Sequence, residues 1–417
     1  MNPSFALPAI NFFMADVGGG LGAFLSTWLA QVAHWNPAQI GIIVAAGSLT
    51  GAVLAAPAGA LVDRVARLRL LLATACITIV AGTLLFLPAR AFLLVLAAQV
   101  IVSAGGALGA PSVSGLSLAV VGKKGFPRQQ GTNEAANHAG NVVAAGLIAA
   151  LAWALGPVRG PMAPIVVLAL MATSTLIVLR LMDGSAIDPD RMRGRGPREK
   201  EERRGATREM FKNPRLLRLL AVVGLFQLAN SAMLPLLTQR IVAGGGGNAT
   251  SWTSACVIVA QLTMVPVALV TGRISDRVGR RWLLLAACGV VMARCAVAVF
   301  AQGNVWLIPI EVLDGVAAAF FSVAAPVAVT DLTYGSGRTQ TALGGMGTMQ
   351  AGGAALASVA WGFAAKHFGY GATFTAMAAF AAGAILILLT FHLRDEEPQG
   401  GQRATQSEKA AAMSATV

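Results

Sequence analysis

The stretch GRISDRVGRR, residues 272–281, lies between two long apolar runs, and a weaker copy, GALVDRVARLR, lies in the same setting at 59–69. Both read glycine, three residues, Asp-Arg, one residue, a turn position, then bases: Gly272, Asp276, Arg277, Gly279, Arg280 and Arg281 in the later copy. The earlier copy has Gly59, Asp63, Arg64, Arg67 and Arg69, with Ala66 at the turn and Leu68 in place of a base. The two are 213 residues apart. Three more pairs recur at nearly the same offset: FFMAD 12–16 with FQLAN 226–230, Ala110-Pro111 with Ala325-Pro326, and GTNEA 131–135 with GTMQA 347–351. Four matches in one order at offsets of 213–216 describe two related halves.

The composition places those halves in a membrane. Of 417 residues 56% are hydrophobic and 12% charged, with mean hydropathy +0.69, whereas soluble domains carry about 25% charged residues. Twelve apolar runs can cross a bilayer, at 5–33, 38–62, 68–87, 91–121, 131–156, 161–182, 215–240, 250–273, 280–301, 304–331, 339–366 and 370–393. The runs are unbroken rather than alternating, so helices are expected and not barrel strands. The first run has no basic lead and no clear cleavage site, and reads as a retained helix. The expected fold is an all-α integral membrane protein of twelve helices. Residues 1–182 and 213–394 form two pseudo-symmetric six-helix bundles, 183–212 a flexible linker and 395–417 a disordered tail.

The net charge of +13 follows the same plan. Bases gather in the loops after even-numbered spans: Arg64, Arg67 and Arg69, then Lys123, Lys124 and Arg128, then Arg273, Arg277, Arg280 and Arg281, and the linker. The opposite loops have only Arg90, Arg159 and Lys366. Basic loops stay in the cytoplasm, so both termini are expected there too. The positive charge is therefore an insertion signal, and nucleic acid is not an expected partner. Cys76, Cys256, Cys288 and Cys295 all lie in apolar runs without a CxxC and read as buried hydrophobes. Arginine supplies 25 of the 31 bases, which, with abundant alanine, points to a bacterial inner membrane.

The doubled motif, the twelve spans and the central linker resemble the major facilitator superfamily over nearly the whole chain. The resemblance implies two bundles that rock about a central cavity, a small-molecule substrate, a monomer in the lipid bilayer, and no resident cofactor or catalytic residue. It gives Gly59, Asp63, Arg64, Arg67, Gly272, Asp276, Arg277, Gly279 and Arg280 a gating role. Glycine permits close helix approach, and ion pairs of the aspartate can hold one of two arrangements. The competing reading of the arginines is topology alone. A carboxylate in the first span is similar to the proton-coupled efflux antiporters, although span 4 (QVIVSAGGALGA) has no arginine and span 5 no Gly-Pro.

Ionisable residues inside spans are rare and usually functional. Asp16 lies about 11 residues, or roughly 16 Å, from the end of span 1, followed by Gly18-Gly-Gly20. Its repeat partner, Asn230, cannot titrate. In span 5, Glu134, Asn137, His138 and Asn141 recur at i, i+3, i+4 and i+7 on one helix face, where His138 or Asn137 is expected to approach Asp16. Asp16 and His138 are the expected proton-coupling pair. Glu311 and Asp314 in span 10 and Arg294 in span 9 form either a buried structural pair or a charged part of the cavity, with Arg294 paired to Glu311 or to Asp314. The expected substrate contacts are Asp16, Glu134, Asn137, His138, Asn141, Asn230, Glu311 and Asp314. Phe226 and Phe321 read as core or lipid-facing.

With no ATP-binding motif present, the proton gradient is the expected driving force, and export of a small amphipathic or cationic organic compound the expected function. The alternatives are export of a divalent metal on Asp16, His138 and Asn137, or uptake of a small metabolite. A membrane sensor would need a sizeable soluble domain, and an enzyme a nucleophile–base or metal constellation; neither is visible.

Overall fold

The computed structural model describes residues 1–17, 37–65, 67–87, 91–194, 212–243, 249–301 and 303–390, with Leu25, Leu29 and Trp35. The N-terminal half contains α1 (Pro3–Val17), α2 (Pro37–Val65) and α3 (Leu68–Leu84). A helical run Phe92–Arg159 follows and breaks at Gly122 (φ 66°), which gives α4 (92–121) and α5 (123–155); α6 is Ala163–Leu181. A short α7 (Pro189–Met192) leads to the second half. That half has α8 (Pro214–Asn230), α9 (Met233–Ala243), α10 (Ala249–Val278), α11 (Arg280–Phe300) and α12 (Leu307–Thr333). The final run Thr339–Thr390 breaks at Gly369 (φ 81°) into α13 (339–368) and α14 (370–390). The breaks fall on glycines because only glycine takes these positive φ angles without a Cβ clash.

Eight described helices are long and apolar enough to span a membrane. Two of them contain the glycine breaks and count as two spans each, and the shorter apolar helices Pro3–Ala15 and Leu68–Leu84 complete twelve. Large apolar side chains such as Leu93 and Val359 are more than 70% exposed, as a lipid-facing exterior requires. Two separate buried cores lie inside, one built from residues 6–192 and one from 216–388. Phe226 and Phe321 stack 3.8 Å apart in the second core. All four cysteines are free and buried.

Three expectations change. Span 5 begins at 123 rather than 131, because a single glycine, Gly122, makes the whole turn from α4. Span 7 is broken at Ser231-Ala232 into α8 and α9. The linker is not flexible throughout: residues 183–194 are folded against both bundles. Asp188 caps α7 by accepting from the Asp190 and Arg191 amides at 2.9 and 3.3 Å. Met192 is fully buried. Arg193 donates to the Asp63 and Arg64 carbonyls at the end of α2 (2.7 and 3.2 Å), where a cation suits the helix dipole. On the other bundle, Gln340 donates to the Met192 carbonyl (3.3 Å) and Thr339 to the Arg193 carbonyl (3.2 Å). Residues 195–211 and the tail 391–417 lie outside the described residues.

The halves meet at the motif-bearing end through two related crossings. At α5 and α10, a Cβ on Gly272 would lie 2.8 Å from the Gly131 Cα and 3.0 Å from the Pro127 carbonyl oxygen. At α2 and α13, Gly59 lies against the Gln340 carbonyl and Gly344 against the Ala55 carbonyl, while Thr348 donates to the Ala52 carbonyl (2.7 Å). An offset of 213 maps Gly59 onto Gly272 and Gly131 onto Gly344, so the contacts correct the pairing of GTNEA with GTMQA, which set Gly131 on Gly347. One glycine-to-backbone contact is thus made twice, by the pseudo-symmetry, and closes this end.

Candidate functional site

Just inside the crossings a cavity of about 510 Å³ lies between the bundles. Its polar lining comes from α1 (Asn11), α4 (Ser114), α5 (Gln130, Asn133, Glu134, Asn137), α12 (Ser322) and α13 (Gln350). Met14, Leu343 and Met346 supply apolar surface. Small residues on α4, from Gly106 to Ala110, leave the space open by having little side chain. Among the described residues Glu134 is the one ionisable residue in this lining.

Glu134 is held from two sides. Gln130, one turn earlier, donates to Oε1 at 2.9 Å and reaches the Ser322 carbonyl on the other bundle at 3.4 Å. The second oxygen faces His138 Nε2 at 3.7 Å. His138 Nδ1 in turn lies 2.7 Å from Gln261 Oε1 on α10. An amide oxygen only accepts, so Nδ1 carries the hydrogen and donates. In the neutral ring Nε2 then presents a lone pair to a carboxylate, and it has no hydrogen-bond partner. Two acceptors facing each other leave a place for one proton, which would turn the contact into a charge-assisted bond. Glu134 and His138 both lie on α5, so the tie to the other bundle is the His138–Gln261 bond, present with or without that proton.

The span 5 stripe therefore divides. At about 100° per residue, His138 and Asn137 point about 100° apart, one toward α10 and the other toward α1. Among the described residues His138 bonds Gln261 on α10 and has no bond to α1. Asn137 reaches α1, donating weakly to the Asn11 carbonyl at 3.5 Å, and Asn141 bonds Asn137 at 3.5 Å without lining the cavity. The side chain of Asp16, and Gly18-Gly-Gly20, lie outside the described residues, although α1 and α5 are close neighbours where Gly140 meets the Phe12 carbonyl. Asn11 and Gln130 were not among the expected contacts. Asn11 was legible as an amide in an apolar run; Gln130 was hidden by the misplaced start of α5.

Asn230, Arg294, Glu311 and Asp314 form a separate cluster, and none of them lines the cavity. Arg294 takes both carboxylates: Nη2 donates to Glu311 Oε1 (2.8 Å), and Nη1 to Asp314 Oδ1 (2.6 Å) and Asn230 Oδ1 (2.8 Å). Asn230 also donates to Asp314 at 3.0 Å. The described geometry joins these residues in an ion network inside the second bundle, the structural reading of the two given from sequence, away from the cavity lining.

The two motif copies behave differently. Asp63, buried at the end of α2, accepts from the Gln340 and Thr341 amides (3.2 and 2.7 Å) and the Thr341 hydroxyl (2.6 Å). It caps α13 from across the bundle interface, where unpaired N–H groups and the dipole favour a carboxylate. Asp276, in the copy that fits the pattern fully, is exposed and pairs with Arg280 at 2.8 Å. Arg280 also binds Asp331 (3.0 Å), which Lys123 approaches at 3.8 Å. The offset of 213 puts Pro127 and Arg128 where Gln340 and Thr341 stand. Pro127 has no N–H, and α5 has already run from 123, so no free helix start faces Asp276. Gly279 takes φ 87° at the turn; Ala66, its counterpart, lies outside the described residues. The Arg64 carbonyl accepts from Arg193, Arg67 precedes α3 without a side-chain cap, and Arg277 is exposed.

Among the described residues no group of three or more His, Cys, Asp or Glu could hold a metal ion; of the expected set Asp16, His138 and Asn137, the Asp16 side chain lies outside the described residues.

Comparison with known proteins agrees with this architecture. The Major Facilitator Superfamily model matches residues 8–293 and 244–416. Two uncharacterised MFS-type transporters of Mycobacterium tuberculosis, MT2531 and Rv2456c, are each 33% identical over 386 residues, covering 92% of this chain and 91% of theirs. Similar solved structures include the MFS transporter FucP in the outward conformation (TM-score 0.74, 16% identity, 93% of this chain and 98% of that one). The proton:xylose symporter XylE bound to 6-bromo-6-deoxy-D-glucose follows (0.72, 14%, 93% and 95%), as does the human organic anion transporter MFSD10, or TETRAN (0.65, 15%, 93% and 96%). At such identities the solved structures speak for the twelve-helix fold alone.

Proposed function

The chain belongs to the major facilitator superfamily, and from that premise we propose that it is a proton-coupled secondary transporter that exports a small amphipathic or cationic organic compound by alternating access. It is a multi-pass membrane protein of a transporter family, not an enzyme. The reading is supported above all by Glu134, among the described residues the one ionisable group in the cavity lining, facing the bare Nε2 of His138. Amides from α1 and α5 suit hydroxyl or amine groups, methionines suit an apolar body, and a single carboxylate with no lining cation favours a neutral or cationic solute.

In this mechanism Glu134 and His138 hold one proton between them while the bundles are closed at the motif end. A cationic substrate competes for Glu134, and release of the proton leaves the His138–Gln261 and Gln130–Ser322 bonds across this part of the interface. The motif end is the cytoplasmic end, by its basic residues, in a bacterial inner membrane. The protein works as a monomer, with the proton gradient as driving force.

The test begins with a thermal-shift screen of organic cations, sugars and organic acids on purified protein, followed by flux of the hit in proteoliposomes with an internal pH dye. Glu134→Gln is expected to lose at least about a hundredfold of the substrate-driven proton movement, the low end of what a positioned proton-transfer group contributes, while substrate exchange without a gradient continues. Wild-type proton movement in this variant sinks the assignment. Asp16→Asn in the same assay tells whether the first-span carboxylate carries the proton instead.

A further inference from the structure

The cluster in the second bundle has a charge count that does not close. Arg294 is 1% exposed and Glu311 0%, and Arg294 is the only cation paired with either Glu311 or Asp314 among the described residues. With both carboxylates ionised the cluster would hold a net negative charge in the interior of a membrane protein, which is strongly disfavoured. The hydrogen bonds show where the imbalance sits. Asp314 Oδ1 accepts from both Arg294 and Asn230, whereas Glu311 Oε2 is buried without any partner. The groups that face Glu311 electrostatically are Arg294 on α11, Asp314 on its own helix and Cys256 on α10. None supplies the missing charge.

We propose that the Arg294–Glu311–Asp314 cluster is a second proton-binding site, in which one proton is shared by the two carboxylates and resides on Glu311 in this conformation. The ligand is a proton and not a metal cation, because one orphan carboxylate oxygen offers no cage of the six or so oxygens that hard cations take. Binding forms one O–H bond on a carboxylate and breaks none in the protein. The guanidinium then balances the single remaining carboxylate. Asn230 links this balance to backbone structure: it is the last residue of α8, next to the Ser231-Ala232 break before α9. Loss of the proton would therefore load charge onto the point where span 7 bends.

The inference is independent of the transport reading, since its test uses purified protein without substrate. Infrared difference spectroscopy at neutral pH reads the C=O stretch of a protonated, buried carboxyl. Wild type is expected to show such a band, distinct from any that Glu134→Gln removes, and Glu311→Gln and Asp314→Asn are each expected to abolish it, because one neutral member leaves the other to pair with Arg294. Glu311→Gln keeps an acceptor for Arg294 and is expected to retain the wild-type unfolding temperature, even if Glu311→Ala fails to fold. A band that survives in both variants overturns the proposal, as does its absence from wild type. A rise in unfolding temperature with sodium chloride over choline chloride, lost in Glu311→Gln, overturns it in favour of a metal cation.

Discussion

Arg294→Ala is expected to destabilise the protein by about 3–5 kcal/mol, the range for removing one partner of a buried charged group, read as a large fall in unfolding temperature in detergent. The guanidinium is nearly inaccessible and donates to Glu311, Asp314 and Asn230 at once. Its removal strands two carboxylates in a low-dielectric interior and leaves a cavity the size of a long side chain. With Glu311 already holding a proton, Asp314 must then take up a second, so the loss should be smaller at low pH than at neutral pH. A joint change of Arg294→Met, Glu311→Leu and Asp314→Asn removes all three charges, and it is expected to recover much of the stability, because apolar replacement of a buried ionic group is often neutral or better. An unfolding temperature that does not move in Arg294→Ala would mean that the cluster is hydrated and not buried.

The twelve spans and the two halves were legible because length, hydropathy and a repeated motif are properties of the sequence itself. The failures share a physical cause: each concerns an element whose structure depends on a neighbour. The segment 183–194 reads as polar linker, yet Met192 finds a pocket and Arg193 finds helix-end carbonyls, and neither partner is adjacent in sequence. The start of α5 was misplaced because one glycine turn was read as a loop of nine residues. The stripe on span 5 was visible as a stripe, but periodicity cannot say which neighbour each side of it meets. The repeat aligns Asp16 with Asn230 and Gln99 with Asp314, so the halves carry an acid and an amide on exchanged spans. Arg294 was expected to pair with Glu311 or Asp314, but only the fold shows it taking both and drawing Asn230 into the same network.

Gly272→Val is expected to shift the protein out of the closed state described above, by about 1–3 kcal/mol for overpacking, hence about 5- to 150-fold in the ratio of closed to open forms. The new Cβ would lie 2.8 Å from the Gly131 Cα and 3.0 Å from the Pro127 oxygen. Both are backbone atoms of α5, so no side-chain rotation relieves the clash and the helices must separate. Opening this crossing also pulls on its counterpart, where Asp63 caps α13, because the two crossings close the same end. Asp63→Ala should therefore act in the same direction but less strongly, since a lost cap costs about 0.5–2 kcal/mol. Ser322→Cys places a thiol in the cavity lining, and the four native cysteines, all buried, give little background. Labelling of that thiol by a membrane-impermeant reagent from the motif side should rise strongly in Gly272→Val and modestly in Asp63→Ala. Gly289→Ala is the control, because a Cβ there meets nothing within 4 Å and α11 only gains a better helix former. Unchanged labelling in Gly272→Val, with the control behaving as wild type, would show that the crossing of α5 and α10 is not what holds this end shut.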